Sequence, residues 1–400
     1  MKTVVFVREE AYARMYNQAW ALKRTNKYRL ILLCRTFDET MLGKFKEVFD
    51  EIICWLPLDL QKIGLTQIHG NSVVANLIKD TFNRHIISRI GRMSDTARLP
   101  KILKQINADV FNCVGTYELT QQVMKNTKSP VIIDLHNGSP SKGIENLSKM
   151  EKVRDKYCLE HASGIIHRGP PEIEINYYKK YGYKIKNPTL QFLDCCNREF
   201  FVEGNIKKLS SEDGEYHLIS MGSGQSSHYT RYMIKKLAKQ KIHFHIYVPY
   251  KISPLVFKEL VHLTKNEKYF HLEKAVPFDK VHQEIAKYDF GSHLYTSAFL
   301  NQFQKEYLKI GSSNRIFTYL EAGLPIIISD RIEYMKKLVE KYKAGFSVKD
   351  EELDDIHSVI DKYDYEELRK NVFKAREKFL INNYAERLIK FYDEIIQKDG

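Results

Sequence analysis

No stretch of this 400-residue chain approaches the roughly 18 uninterrupted apolar residues that a membrane-spanning helix needs. The amino-terminal run from Met1 to Glu10 is too short for a secretory signal, and Glu9 and Glu10 stand where a cleavage site would fall. The six cysteines, Cys34, Cys54, Cys113, Cys158, Cys195 and Cys196, contain no CxxC pair. Several lie in apolar runs where a thiol behaves as a small hydrophobe, so no disulfide framework is implied. A solenoid-type repeat and low-complexity tracts are also missing. These absences lead us to expect a reduced, cytoplasmic protein.

What is present points to two domains. The length exceeds what one hydrophobic core organises, and 43% hydrophobic residues are enough to fill two cores. Charge is unevenly placed. Residues 1–200 hold 31 Lys+Arg against 21 Asp+Glu, and residues 201–400 hold 32 against 29. A basic first half suits an anionic partner such as phospholipid, a lipid-linked phosphate, an acidic glycan or nucleic acid. A Lys-rich genome gives the same count.

Short β-branched or aromatic runs alternate with longer stretches of helical spacing, the pattern of βαβ units around a parallel sheet. The first half is expected to form strands at 3–7, 29–33, 51–55, 110–114, 131–135, 164–167 and 189–193. A second series follows at 217–221, 243–248, 269–272, 290–294 and 325–329, with helices near 229–239, 278–287, 316–322, 334–341 and 365–380. The polar stretch 203–215 lacks apolar periodicity and reads as a linker. The expected domains are 1–203 and 216–382, joined by 204–215 and followed by an amphipathic helix in 383–400. Two such α/β units put ligands in a central cleft, at the carboxyl ends of their strands.

The most informative segment runs from Ile310 to Asp330. Ser312, Ser313 and Asn314 are good helix caps, Gly323 is placed as a helix stop, and Pro325 opens a buried strand. Unpaired N–H groups at the helix start, the positive end of its dipole and Arg315 would together suit a diphosphate. An ordinary capped helix shows the same local signals.

The run Ser313-Asn314-Arg315-Ile316-Phe317-Thr318-Tyr319-Leu320-Glu321-Ala322-Gly323-Leu324-Pro325-Ile326-Ile327-Ile328-Ser329 resembles the donor-binding segment of GT-B glycosyltransferases, K-x-F-E-Y-L-A-A-G-x-P-V-I. His217–Gly222 resembles that family's first donor-domain strand and glycine turn, and 269–294 its base-binding loop, helix and next strand. Lys343–Val348 resembles its late glycine turn. In the first half, Val131–Gly138 resembles the strand ending in a functional histidine. The resemblance implies two Rossmann-like domains with parallel sheets facing a cleft, and a nucleotide-sugar co-substrate with no other cofactor. It places the donor at Gly222, Ser223, Gly224, Arg231, Lys274, Val276, Pro277, Ser312, Ser313, Asn314, Arg315 and Thr318. His136 and Asp134 would be catalytic, with Asn137 and Gly138 toward the acceptor. The retaining, family 4-like group is the nearest in pattern. Its paired glutamates are not retained, because their positions hold Ile310 and Thr318.

His136 ends an apolar strand, and an imidazole titrating near 6.5 can take a hydroxyl proton. Asp134 shares its strand face. A buried histidine bonded to a backbone carbonyl fits that pattern too. His243 and His245 share a strand face but lack a third ligand at metal spacing, and no Asp-x-Asp follows an apolar strand, so no catalytic metal is expected. Gly222–Gly224 lacks the third glycine of a dinucleotide fingerprint. Residues 76–107 carry Lys79, Arg84, Arg89, Arg92, Arg98, Lys101 and Lys104 at amphipathic spacing. They would suit anionic lipid at the inner membrane face, or a helix packed on the sheet. Basic residues are not interleaved with aromatics as in nucleic-acid modules. The expected activity is metal-independent glycosyl transfer to a glycan or lipid-linked acceptor. An epimerase on the same fold and a non-catalytic nucleotide- or glycan-binding protein stay open.

Overall fold

The computed structural model describes residues 1–10, 13–37, 39–56, 97–135, 143–221, 227–247, 254–274, 276–300 and 302–398. The chain divides into two compact units, Met1–Phe192 with Tyr384–Gly400, and Leu193–Asn383. The expected linker therefore lies inside the second unit, and the terminal helix belongs to the first.

The first unit runs β1 (Lys2–Glu10), α1 (Ala13–Lys23), β2 (Tyr28–Thr36), α2 (Glu39–Val48), β3 (Glu51–Cys54), α3 (Leu99–Gln105), β4 (Val110–Cys113), α4 (Tyr117–Asn126), β5 (Val131–Leu135), α5 (Lys149–His161), β6 (Gly164–His167), α6 (Pro171–Lys180) and β7 (Thr189–Gln191). The second runs α7 (Ser210–Asp213), β8 (His217–Met221), α8 (Ser227–Ala238), β9 (His243–Tyr247), α9 (Pro254–Asn266), β10 (Phe270–Glu273), α10 (Val281–Ile285), β11 (Phe290–His293), α11 (Gln302–Ile310), α12 (Asn314–Glu321), β12 (Ile326–Ser329), α13 (Glu333–Lys341), β13 (Gly345–Val348), α14 (Ile356–Ile360) and α15 (Tyr365–Lys378). The closing helix is α16 (Asn382–Lys398).

Both sheets are parallel throughout, with orders β3-β2-β1-β4-β5-β6-β7 and β10-β9-β8-β11-β12-β13. Helices cover both faces of such a sheet, so its strands can be apolar without alternation. Leu30 to Cys34 of β2 is accordingly buried at every position. β13, read from sequence as a glycine turn, is a strand because Gly345–Val348 pairs with β12 along its whole length.

Order reverses between β1 and β4 in the first sheet and between β8 and β11 in the second. At such a switch point the flanking loops diverge and leave a crevice at the carboxyl ends. In the second unit α12 meets the sheet beside that point. Gly291 of β11 lets it approach, since a Cβ there would fall 2.2 Å from Tyr319 Cγ. Tyr319 Oη donates to Ser292 O at 3.1 Å and accepts from Met221 N at 3.1 Å, bridging β11 and β8. Gly323, with φ +74°, ends the helix as expected and lets the chain turn into β12. We expect Gly291→Ala to lift α12 and destabilise the protein by about 1–3 kcal/mol through overpacking. A chemical denaturation midpoint unchanged in the variant would show that the helix does not depend on this contact.

Candidate functional site

The candidate donor site is the carboxyl edge of the second sheet. Ser313 is the N-cap of α12 by backbone conformation, yet its side chain makes no capping bond. Ser312 Oγ is buried without a hydrogen-bond partner. A buried hydroxyl in that state carries a desolvation cost, which an incoming acceptor oxygen relieves. Neither serine side chain caps the helix N-terminus.

Arg315, in the first turn of α12, is anchored from below. Its Nη1 donates to Nδ1 of His293, the last residue of β11, at 3.2 Å. That nitrogen must carry a lone pair. Burial, and then the Arg315 charge, push the His293 imidazole well below its usual range, so the ring stays neutral. The bond fixes the guanidinium beside the switch point. Sequence reasoning missed His293, because 22 residues separate it from Arg315 and no local pattern links them. Nearby, Asp350 accepts from Ser297 N and Oγ at 3.0 and 2.6 Å and from Arg331 Nη2 at 2.9 Å, tying together the loops that follow β11, β12 and β13.

His293 gives this edge a pH signature. The unfolded chain takes up a proton near pH 6.5 that the native ring refuses. The contribution is therefore fully present above that pH and declines as pH falls below it. His293→Asn keeps an acceptor for Arg315 without titrating. It should flatten the acid limb of the melting-temperature profile below about pH 6.5, and an unaltered slope would assign that limb to other groups.

Other expected donor residues are distributed differently. Thr318 is half-buried and its Oγ1 donates to Asn314 O at 3.3 Å, within its own helix. Lys274 is exposed, and Val276 and Pro277 are half-buried, in the segment leaving the carboxyl end of β10, the same edge of the sheet. Arg231 has an acidic partner in its own unit. It lies on an exposed part of α8, and its Nε donates to Glu259 Oε1 of α9 at 2.9 Å, so its charge is matched there and not at the N-terminus of α12. Gly222, Ser223 and Gly224 lie outside the described residues. Glu321, the acid nearest in sequence to Thr318, is buried; it accepts from Asn197 N at 2.7 Å and sits 2.9 Å from His282 Nε2. That makes it a tie between α12, α10 and the segment before α7.

In the first unit His136, Asn137 and Gly138 also lie outside the described residues. Asp134 is described, and its carboxylate is engaged within the first unit. It is fully buried on β5 and accepts from Arg14 Nε at 2.9 and 2.8 Å and from Gln18 Nε2 at 2.6 Å, which pins α1 to the sheet. The network continues through Asn112, which donates to Gln18 Oε1 at 2.9 Å and to Tyr392 Oη of α16 at 2.6 Å. An imidazole ends the neighbouring strand, β6. His167 Nδ1 lies 2.6 Å from Glu174 Oε2 of α6, and its buried Nε2 has no partner. The carboxylate orients the ring from its Nδ1 side. Of the basic segment 76–107, only residues 97–107 are described. There Leu99 and Leu103 join the core, as expected of a helix packed on the sheet.

Two Rossmann-like units on one chain, each with its switch point, define the GT-B fold. Residues 231–390 match the family described as glucosyltransferase 3-like, C-terminal domain. Anabaena HepE, solved with UDP and glucose, has a TM-score of 0.64 at 12% identity, covering 98% of this chain and 100% of its own. A glycosyltransferase from Rickettsia africae has 0.60 at 12% identity, covering 99% of each chain. A Listeria monocytogenes protein described as a putative UDP-N-acetylglucosamine 2-epimerase has 0.54 at 9% identity, covering 97% of this chain and 95% of its own. No curated protein matches the sequence. The architecture shared with these structures is the GT-B fold, and the family match covers residues 231–390. Neither distinguishes the retaining, family 4-like group. Among the described residues, no helix is long and apolar enough to cross a membrane.

Proposed function

We propose that the protein transfers a glucosyl or related unit from a UDP-sugar, bound by the second unit, to a glycan or lipid-linked acceptor held by the first. The observation that carries this is the open N-terminus of α12. Its cap serine makes no capping bond, Ser312 Oγ is an orphan, and Arg315 is braced on a neutral histidine. Such a site offers backbone N–H groups, a hydroxyl and a fixed cation to the diphosphate. Their value is greatest as the glycosidic bond breaks and negative charge grows on the leaving group. The UDP and glucose held by HepE, and the glucosyltransferase 3-like match, support uridine and a hexose.

His136 is the proposed group that takes or holds the acceptor hydroxyl's proton, with Asn137 and Gly138 beside the acceptor. Asp134 supports β5 from within. Lys274, Val276 and Pro277 are proposed against the base, and Gly222, Ser223 and Gly224 against the phosphates. The Listeria neighbour favours one competing reading, donor epimerisation. Product analysis with UDP-sugar and no acceptor separates the two.

The test is a melting-temperature screen with UDP, GDP, ADP, CMP and their sugars. UDP should raise the melting point by linkage, and no response to any nucleotide would sink the proposal. His136→Ala should leave the UDP response intact and lower transfer by about 10²–10⁴-fold, the usual worth of a positioned acid–base group. Full activity in that variant, with loss in His167→Asn, would move the role to the His167–Glu174 pair.

A further inference from the structure

Four histidines gather at the amino ends of β8, β9 and β10, the edge of the second sheet away from α12. His217 opens β8 and faces His243, which opens β9; His245 and His271 face each other across β9 and β10. Their rings stack in pairs, with centroids 4.3 Å apart in both and planes 6° and 14° from parallel. The five residues of β8 set this cluster about 13 Å from the carboxyl edge, at roughly 3.3 Å per residue.

The hydrogen-bond chain through these rings does not close with the protons available. It runs from Asp213 Oδ2 to His217 Nε2 at 3.1 Å, from His217 Nδ1 to His245 Nε2 at 2.9 Å, and from His245 Nδ1 to Glu273 Oε1 at 2.9 Å. Carboxylates, which only accept, stand at both ends. Three contacts need three protons, and two neutral imidazoles carry one each. Whichever tautomers are chosen, one contact sets lone pair against lone pair. An additional positive charge must fill it.

The surroundings say where. Asp213 Oδ2 lies 3.3 Å from His243 Nε2 as well, and Glu215 Oε2 is 2.9 Å from the same nitrogen. The ligand atoms of Asp213, His217 and His243 all lie within 4.8 Å of one another. Bonds of about 2.0–2.1 Å in a tetrahedron place ligand atoms about 3.3 Å apart, close to the two Asp213 separations.

We propose that Asp213, His217 and His243, with Glu215 as fourth donor, form a binding site for a divalent transition cation of the zinc class. Two imidazoles and two carboxylates suit zinc, cobalt or nickel better than magnesium or calcium. With the ion on Nε2 of His217, Nδ1–H of His217 donates to His245 and Nδ1–H of His245 donates to Glu273, so every contact is satisfied. His243 likewise turns its Nδ1 to His271 Nε2, at 2.8 Å. Each ligating ring is then oriented by a hydrogen bond on its far nitrogen, as metal-bound histidines are. The near-parallel His217 and His243 rings must tilt toward Asp213 to bring their lone pairs together. The ion would clasp α7 and Glu215 to the sheet, a structural role away from the donor site. Sequence showed only the His243 and His245 alternation; the tertiary fold supplies the further ligands.

The test uses the full chain, stripped with EDTA and titrated at neutral pH with zinc alone and with cobalt alone. One equivalent should bind, cobalt should develop the strong visible bands of low-symmetry nitrogen–oxygen coordination, and the melting point should rise. Asp213→Asn changes a side chain 38% exposed and should weaken binding by at least about 10-fold, on the scale of lost ligand support. The double variant His217→Gln, His243→Gln should abolish it. The UDP response in these variants reports whether the unit has folded. Absence of stoichiometric binding, equal affinity in Asp213→Asn and the parent, or stabilisation by acid with none by metal would overturn the proposal. The last outcome would leave a proton as the missing charge.

Discussion

Asp134→Ala is expected to cost about 3–5 kcal/mol of stability, the range for breaking a buried ion pair by deleting one partner. Arg14 and Asp134 are buried, with fully covered side chains. Removing the carboxylate takes away the buried anion that faces the guanidinium, whose Nη2 also donates to Phe192 O at 2.8 Å. Gln18 Nε2 loses that carboxylate acceptor as well. Urea unfolding of the variant measures the loss. Unchanged stability with abolished transfer would instead return Asp134 to the chemistry. Arg14→Met with Asp134→Leu should be far milder than either single change, because apolar pairs of similar volume often replace buried ion pairs without penalty.

Arg315→Ala is expected to weaken UDP binding by about 10- to 100-fold. A hydrogen bond to a charged group contributes about 1.5–3 kcal/mol, and each 1.4 kcal/mol is tenfold in affinity. Arg315→Lys should recover part of the loss, since it restores the charge without the planar fork braced on His293. Titration calorimetry with UDP measures both. Affinity equal to the parent in Arg315→Ala would remove the diphosphate from α12. Arg231→Ala, by contrast, should change UDP affinity little, because that guanidinium is paired with Glu259.

Most of the scaffold was legible in the sequence for a definite reason. Parallel strands covered on both faces must be apolar throughout, so Val131–Leu135 and Ile326–Ser329 announce themselves without any partner in view. Gly323 and Pro325 marked the end of α12 and the approach to β12 because each acts through its own backbone. β13 was less visible. Gly345–Val348 is short and opens on a glycine, and its pairing with β12 makes it a strand. The site divides in the same way. Ser312, Ser313 and Arg315 could be read as an anion site because helix capping and dipole are local. The partners of Asp134 and Arg231 were not legible, because Arg14 is 120 residues from Asp134 and Glu259 sits on another helix than Arg231.

By itself, then, the sequence determined two parallel α/β units and an anion-suited helix start, since strand apolarity, caps and stops act over a few residues. Only the tertiary structure decided which charged groups remain for ligands. Arg14, Asp134, Arg231 and Glu321 take partners that chain folding brings to them, whereas His293 is carried to Arg315 and the four histidines to one sheet edge. Hydrogen bonds and ion pairs act at about 3 Å, a range that sequence distance does not report.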